Sequence, residues 1–248
     1  PYNYCMGNPV VMVDPDGRDV EALNQESSQN MEYGMYVYKK PLRDKEGAFY
    51  KRGFDGKVDM SRKYSLDNCP SFMKKLGDSF EEMCKTDTGW ELFQYFSDND
   101  HNATFQRSYE ENSINGDGTH VININTKIQD EIPTTLGNDS KWSPLWISVG
   151  HEMAHRMDYY ENGDVYCNRR NFGGEKRTEI FATHMENRMR AEAGLPLRTF
   201  YNKNNPATQL LQHFEFNIGN VTHRRFLPYS LFMKEKVYPM PYHYYKRP

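Results

Sequence analysis

The stretch "WISVGHEMAHRMDYY", residues 146–160, places two histidines four positions apart, with a glutamate directly after the first. Ser143 and Pro144 precede it as an N-cap and a first-turn proline, the apolar residues Leu145, Trp146, Ile147 and Val149 lead in, and Asn162-Gly163 supplies the stop. The segment therefore reads as one helix. Each residue of an α-helix advances about 100°, so His151 and His155 lie within about 40° of each other and can offer two imidazole nitrogens to one ion. Glu152 stands about 100° further round, beside that ion and not on it. Asp158 shares the histidine face, at i+7 and i+3, where it can orient an imidazole or act as a ligand itself. Val149-Gly150 and Met153-Ala154 are small or apolar, which lets such a helix pack deep in a domain.

The spacing matches the HExxH pattern. There zinc polarises a scissile carbonyl, while the offset glutamate takes a proton from the attacking water and later passes it to the leaving amine. A chain of this length with 8 His and 18 Glu shows the pattern by chance about once in fifty cases, so context has to carry the argument. The plain alternative is a buried histidine pair satisfied by hydrogen bonds. A catalytic zinc also needs a third protein ligand and one open position. No HExxHxxGxxH continuation exists, because Asp158 follows "HEMAHRM" and no later histidine falls at that spacing, which excludes a metzincin.

A second helix is expected from Lys176 to Ala193, closing at Gly194 with Pro196 beyond. Glu179, Thr183 and Glu186 share one stripe of it. Glu179 is the first choice for the third ligand, with Glu186 and Asp158 as alternatives. His184 points about 140° away from Glu179 and off the metal. Candidate donors to a developing oxyanion are Tyr201, Tyr166 and His184, with Tyr201 preferred. Arg188, Arg190 and Arg198, together with Glu186 and Glu192, read either as ion pairs locking this helix to the loop after it or as substrate contacts.

Elsewhere the chain is scaffold. "MYVYKK" (35–40) reads as a strand, and Pro70 to Phe96 as two amphipathic helices. "ATFQRSY" (103–109) and "THVININTKI" (119–128) read as strands around the Gly-rich turn Asn115-Gly116-Asp117-Gly118. In the second, Ile122 and Ile124 alternate with Asn123 and Asn125. These four residues are the substrate-binding candidates, as an edge strand able to pair with an extended peptide.

Bulk properties narrow the class. Net charge −3 and pI near 6.3 argue against a broad nucleic-acid surface, and no run of 18 apolar residues is present to span a membrane. Cysteines at 5, 69, 84 and 167 form no CxxC pair, so a cysteine metal site is not expected.

At "GHEMAHRMD" and "RTEIFATHMENRMRAEAGLPLRTFY" the chain resembles the zincin metallopeptidase toxins at the C-termini of bacterial polymorphic proteins, along with related injected effector peptidases. The likeness covers residues 140–202, with weaker agreement back to about 65. Anthrax lethal factor is more distantly similar: its ligand Glu is followed by two apolar residues and Ala, as Glu179 is followed by Ile180, Phe181 and Ala182. It has a Tyr where Phe172 stands here. The opening "PYNYCMGNPVVMVDPDGRDV" resembles the end of RHS-repeat cores, which finish on a GNP…DPDG segment before a variable toxin.

The resemblance implies an α+β, zincin-like fold with a small mixed or antiparallel sheet and an active-site helix carrying HExxH. It divides the chain into an RHS core-like end (1–17), a linker and lead-in (18–62), the metallopeptidase domain (63–205) and a C-terminal extension packing on it (206–248). It implies Zn2+ held by His151, His155 and Glu179, with Glu152 and Tyr201 catalytic. The chain would be a secreted endopeptidase toxin, delivered into a target cell to cleave a protein there. Its other partners would be a cognate immunity protein and the rest of the RHS shell. The competing reading is a nuclease-type or non-catalytic binding toxin domain with a fortuitous HExxH.

Overall fold

Alternating apolar residues in successive strands line up into one continuous core face. In the computed structural model, which describes residues 19–26, 31–97, 101–115, 120–134, 140–169, 175–201, 211–218 and 221–228, β1 (Val20–Asn24), β2 (Gly34–Lys39), β3 (Ala48–Arg52) and β4 (Val58–Tyr64) form an antiparallel meander. β5 (Ala103–Arg107) joins β1 in parallel, β7 (Ile122–Ile124) joins β5 in parallel, and β6 (Ser113–Ile114) closes antiparallel on β7. The mixed sheet thus has seven strands in the order β4-β3-β2-β1-β5-β7-β6. Registers Tyr38↔Phe49, Val20↔Tyr38, Ala22↔Phe105 and Phe105↔Ile122 put those side chains in two adjacent rows on one face.

Helices cover that face. α1 (Ser71–Met83) contributes Phe72, Leu76 and Phe80, and α2 (Asp87–Ser97) contributes Leu92, Phe93 and Phe96 at helical spacing. Tyr38 sits among Phe49, Phe80 and Phe93, with centroids 4.9 to 6.0 Å apart, while its hydroxyl donates to Glu81. α3 (Leu145–Asn162) and α5 (Arg177–Glu192) complete the layer through Ile147, Val149, Met153, Phe181, Met185 and Met189. They approach closely at Gly150, where an added Cβ would lie 2.8 Å from Met189 Sδ. Helix α3 ends as expected, with Gly163 at φ 73°, and α5 ends before Gly194 at φ 69°. The short helix α4 (Asp164–Cys167) follows α3. A ribbon of β8 (Glu131–Pro133) and β9 (Ser140–Trp142) stands apart from the main sheet, as does the hairpin of β10 (Leu211–Ile218) and β11 (Val221–Pro228).

Three expectations are corrected. Residues 18–62 are no lead-in: they hold β1 to β3 and most of β4, and Val20, Ala22, Tyr36, Tyr38 and Phe49 are core. The strands at 103–109 and 119–128 do not form a hairpin with each other: β5 and β7 run parallel, and β6, which lies between them in sequence, pairs antiparallel with β7, while residues 116–118 of the Gly-rich segment lie outside the described residues. The sheet edge next to β7 is therefore β6. Ser143 is not the cap of α3, because Pro144 occupies that position and the Ser143 hydroxyl is engaged by Arg190. Residues 1–17 and Phe172 lie outside the described residues, as does the extension beyond its two strands.

Candidate metal centre

α3 brings two imidazoles to one place and α5 brings a carboxylate to meet them. His155 Nε2 lies 3.1 Å from His151 Nε2 and 3.1 Å from Glu179 Oε2, and His151 Nε2 lies 3.7 Å from the same oxygen. Among the described residues these three form the group able to hold a metal ion. A point equidistant from the three donor atoms, in their plane, is about 1.9 Å from each; a slight displacement from the plane gives the roughly 2.0–2.2 Å of zinc–nitrogen and zinc–carboxylate bonds. The residues fit a divalent ion.

The remaining ring nitrogens fix how the imidazoles point. His151 Nδ1 lies 3.1 Å from Glu186 Oε2, and an ionised carboxylate only accepts, so Nδ1 carries the proton and Nε2 turns inward. His155 Nδ1 lies 2.9 Å from Thr178 Oγ1, a hydroxyl able to accept its proton, which holds the ring with Nε2 turned inward. Such outer partners hold metal-binding histidines in one tautomer and orientation. Glu186 is itself held in place: Arg190 Nε donates to Oε1 at 2.8 Å and Arg198 Nη1 to Oε2 at 3.1 Å. Burial favours the neutral acid, but the charges of Arg198 and Arg190 and the His151 bond outweigh it and keep Glu186 well below the usual carboxylate range. Arg190 Nη2 continues to Ser143 Oγ at 2.6 Å.

The pocket favours positive charge. Burial opposes a charged His151, yet Glu179 and Glu186 prevail and lift its pKa to about 10. Burial would likewise raise the Glu179 carboxyl, but the two imidazoles hold it well below its usual range. The three inward donor atoms thus need a cation between them, a proton or a metal ion.

Next to this group a cleft of about 490 Å³ opens, lined by Glu152, Tyr159, Tyr201, Ser148 and Ile114 among others. Glu152 is 7% exposed, and burial raises its carboxyl above the ordinary range against the pull of His155 and His151. Tyr201 also lines the cleft; burial, with the Glu179 carboxylate nearby, pushes its pKa up strongly. Arg198 seats it, with Nη2 donating to Tyr201 O at 2.8 Å and the guanidinium 5.0 Å from the ring centroid.

The other expected site residues fall elsewhere. Glu186 contacts His151 from the far edge of the ring and is not in the ligand group. Asp158 is fully buried, accepts from Asn162 at 2.8 Å and also lies outside that group. His184 is buried away from the cleft lining, where desolvation alone lowers its pKa to about 4. Nothing is described of the Tyr166 side chain. Ile122 and Ile124 are core residues. Asn123 is bonded to Gln106, Ser113 and Asn115, while Asn125 is bonded to Asn112 and Glu110. With strands on both sides, β7 has no free edge, whereas Glu111 to Ile114 at β6 line the cleft. Arg190 and Arg198 are locks on Glu186, Arg188 pairs with Glu91 at 3.4 Å, and Glu192 caps α2 through Thr88 N at 2.9 Å. Thr178 was missed; its place directly before Glu179, the helical residue nearest a ligand, was the available signal.

No protein-family model, curated protein or solved structure matches the chain.

Proposed function

We propose that the chain is a zinc-dependent endopeptidase with a zincin-like arrangement, in which His151, His155 and Glu179 hold the ion. The observation that carries this reading is the inward-facing donor triangle, with its outer partners in place, set beside the raised carboxyl of Glu152 at an open cleft. A bound zinc would supply Lewis acidity to a carbonyl and acidify a water. Glu152 accepts the water's proton and returns it to the leaving amine, a role suited to a carboxyl whose pKa burial has moved toward neutrality. Tyr201 donates its hydroxyl to the developing oxyanion. The β6 edge offers backbone pairing to an extended peptide, the role first expected of β7.

The resemblance of the opening segment to RHS cores, and of residues 140–202 to polymorphic toxin peptidases, supports a wider reading. The chain is then a C-terminal toxin delivered into a target cell, where it cleaves a protein and is neutralised by a cognate immunity protein.

Metal analysis and peptide digestion by the purified chain test the core of this. We expect stoichiometric zinc, retained by Glu152→Ala with activity reduced about 10²- to 10⁴-fold, and loss of both zinc and activity in His155→Ala. Peptidase activity surviving in Glu152→Ala would reject its role. Nucleic-acid degradation without peptide cleavage would put the nuclease reading in its place.

A further inference from the structure

The cleft wall beyond the metal ligands has a chemistry of its own. Ile128, Asp130 and Ile132 all line the cleft: Ile128 is 37% exposed, Asp130 is half-buried, and Ile132 is buried behind them. The wall thus reads apolar, acidic, apolar. Ser148 of α3 anchors the acid, its hydroxyl donating to Asp130 Oδ2 at 2.7 Å. Ser148 stands four residues before Glu152 and seven before His155, so the anchor sits on the reacting stripe of α3, one turn away. Among the described residues Asp130 is in no ion pair, unlike Glu186 deeper in the site.

Building on the peptidase reading, we infer that Asp130 is a specificity-determining residue that selects a lysine or arginine side chain of the substrate beside the scissile bond. The aliphatic stem of such a side chain lies along Ile128 while its cationic head meets the carboxylate, the division of surface that long basic side chains favour. The simpler role, bracing the start of α3 through Ser148, needs only an acceptor oxygen. Asp130→Asn keeps that oxygen and removes the charge, so the two roles separate.

The test uses the zinc-loaded chain and peptides blocked at both ends, identical except for Lys, norleucine or Glu at each position flanking the cut. At one position Lys should exceed norleucine in kcat/KM by about tenfold and Glu should fall below both, the advantage shrinking with added salt. Asp130→Asn should bring the Lys-to-norleucine ratio to within about twofold. An unchanged ratio in that variant or no preference in the parent chain would overturn the assignment. Binding of the same peptides to the zinc-loaded Glu152→Ala chain, followed by fluorescence anisotropy, separates this from the peptidase reading. Cleavage without a Lys preference rejects the subsite alone. A Lys preference in binding that Asp130→Asn abolishes, with no cleavage by the parent chain, rejects the peptidase and keeps the subsite.

Discussion

Replacing Glu186 by Gln keeps its size and one acceptor oxygen but removes a charge shared by three donors. In the native carboxylate Oε2 receives His151 Nδ1–H and Arg198 Nη1–H, and Oε1 receives Arg190 Nε–H. An amide presents one oxygen and one NH2, so whichever way it turns, at least one donor meets another donor. The side chains of Arg190 and Glu186 are each 3% exposed, which leaves Arg190 as a buried charge without its counter-ion. Breaking a buried pair from one side costs about 3–5 kcal/mol, and the retained bonds place this variant near the lower figure. Because Glu186 also orients a ligand imidazole, zinc affinity should fall about 10- to 100-fold. Two measurements read the two effects: urea unfolding of the zinc-stripped chain, and competition for zinc against a chromogenic chelator. A loss of stability with zinc affinity unchanged within twofold would make Glu186 a brace for the arginines and refute its role at His151. Unchanged stability would refute the network itself.

Tyr201→Phe should lower kcat about 10²-fold with KM and zinc content little altered, measured by steady-state peptide hydrolysis; an unchanged kcat removes the hydroxyl from the chemistry. His184 contributes a pH dependence of stability. Burial depresses its folded pKa to about 4, below the ordinary imidazole value, so the unfolded chain binds more protons between those two pH values. Its contribution is complete above about pH 6.5 and is lost as pH falls toward 4, about 2 kcal/mol of it between pH 7.5 and 5. Unfolding midpoints across that range should show the loss, and His184→Gln should flatten the slope; equal slopes in the two chains would contradict this origin. Ile122→Ala should destabilise the fold by about 2–5 kcal/mol while leaving peptide KM of the folded fraction unchanged, since its side chain is core and not cleft. A raised KM at unchanged stability would return the residue to the substrate site.

What the sequence determined by itself is whatever lies within a helical turn or two. The period of 3.6 residues suffices to put His151 and His155 on one face and Glu152 beside them, and to mark the ends of α3 and α5 at Gly163 and Gly194. The same period left Glu179 and Glu186 on one stripe, indistinguishable as ligands, because a helical wheel records direction and not distance to another element. Only the packing of α5 against α3 at Gly150 decided between them: it set the first turn of α5 against the inner edge of His151 and the third against its outer edge. Strand partners were equally out of reach, since hydrogen bonds between strands join residues distant in the chain. β5 and β7 therefore read as a hairpin when they are parallel neighbours, and residues 18–62, with one strand read at 35–40, pass as a lead-in when β1 to β4 are four of the seven strands of the sheet. Local periodicity chose the chemistry of the site, while contacts between distant segments chose which carboxylate completes it and which strand borders the cleft.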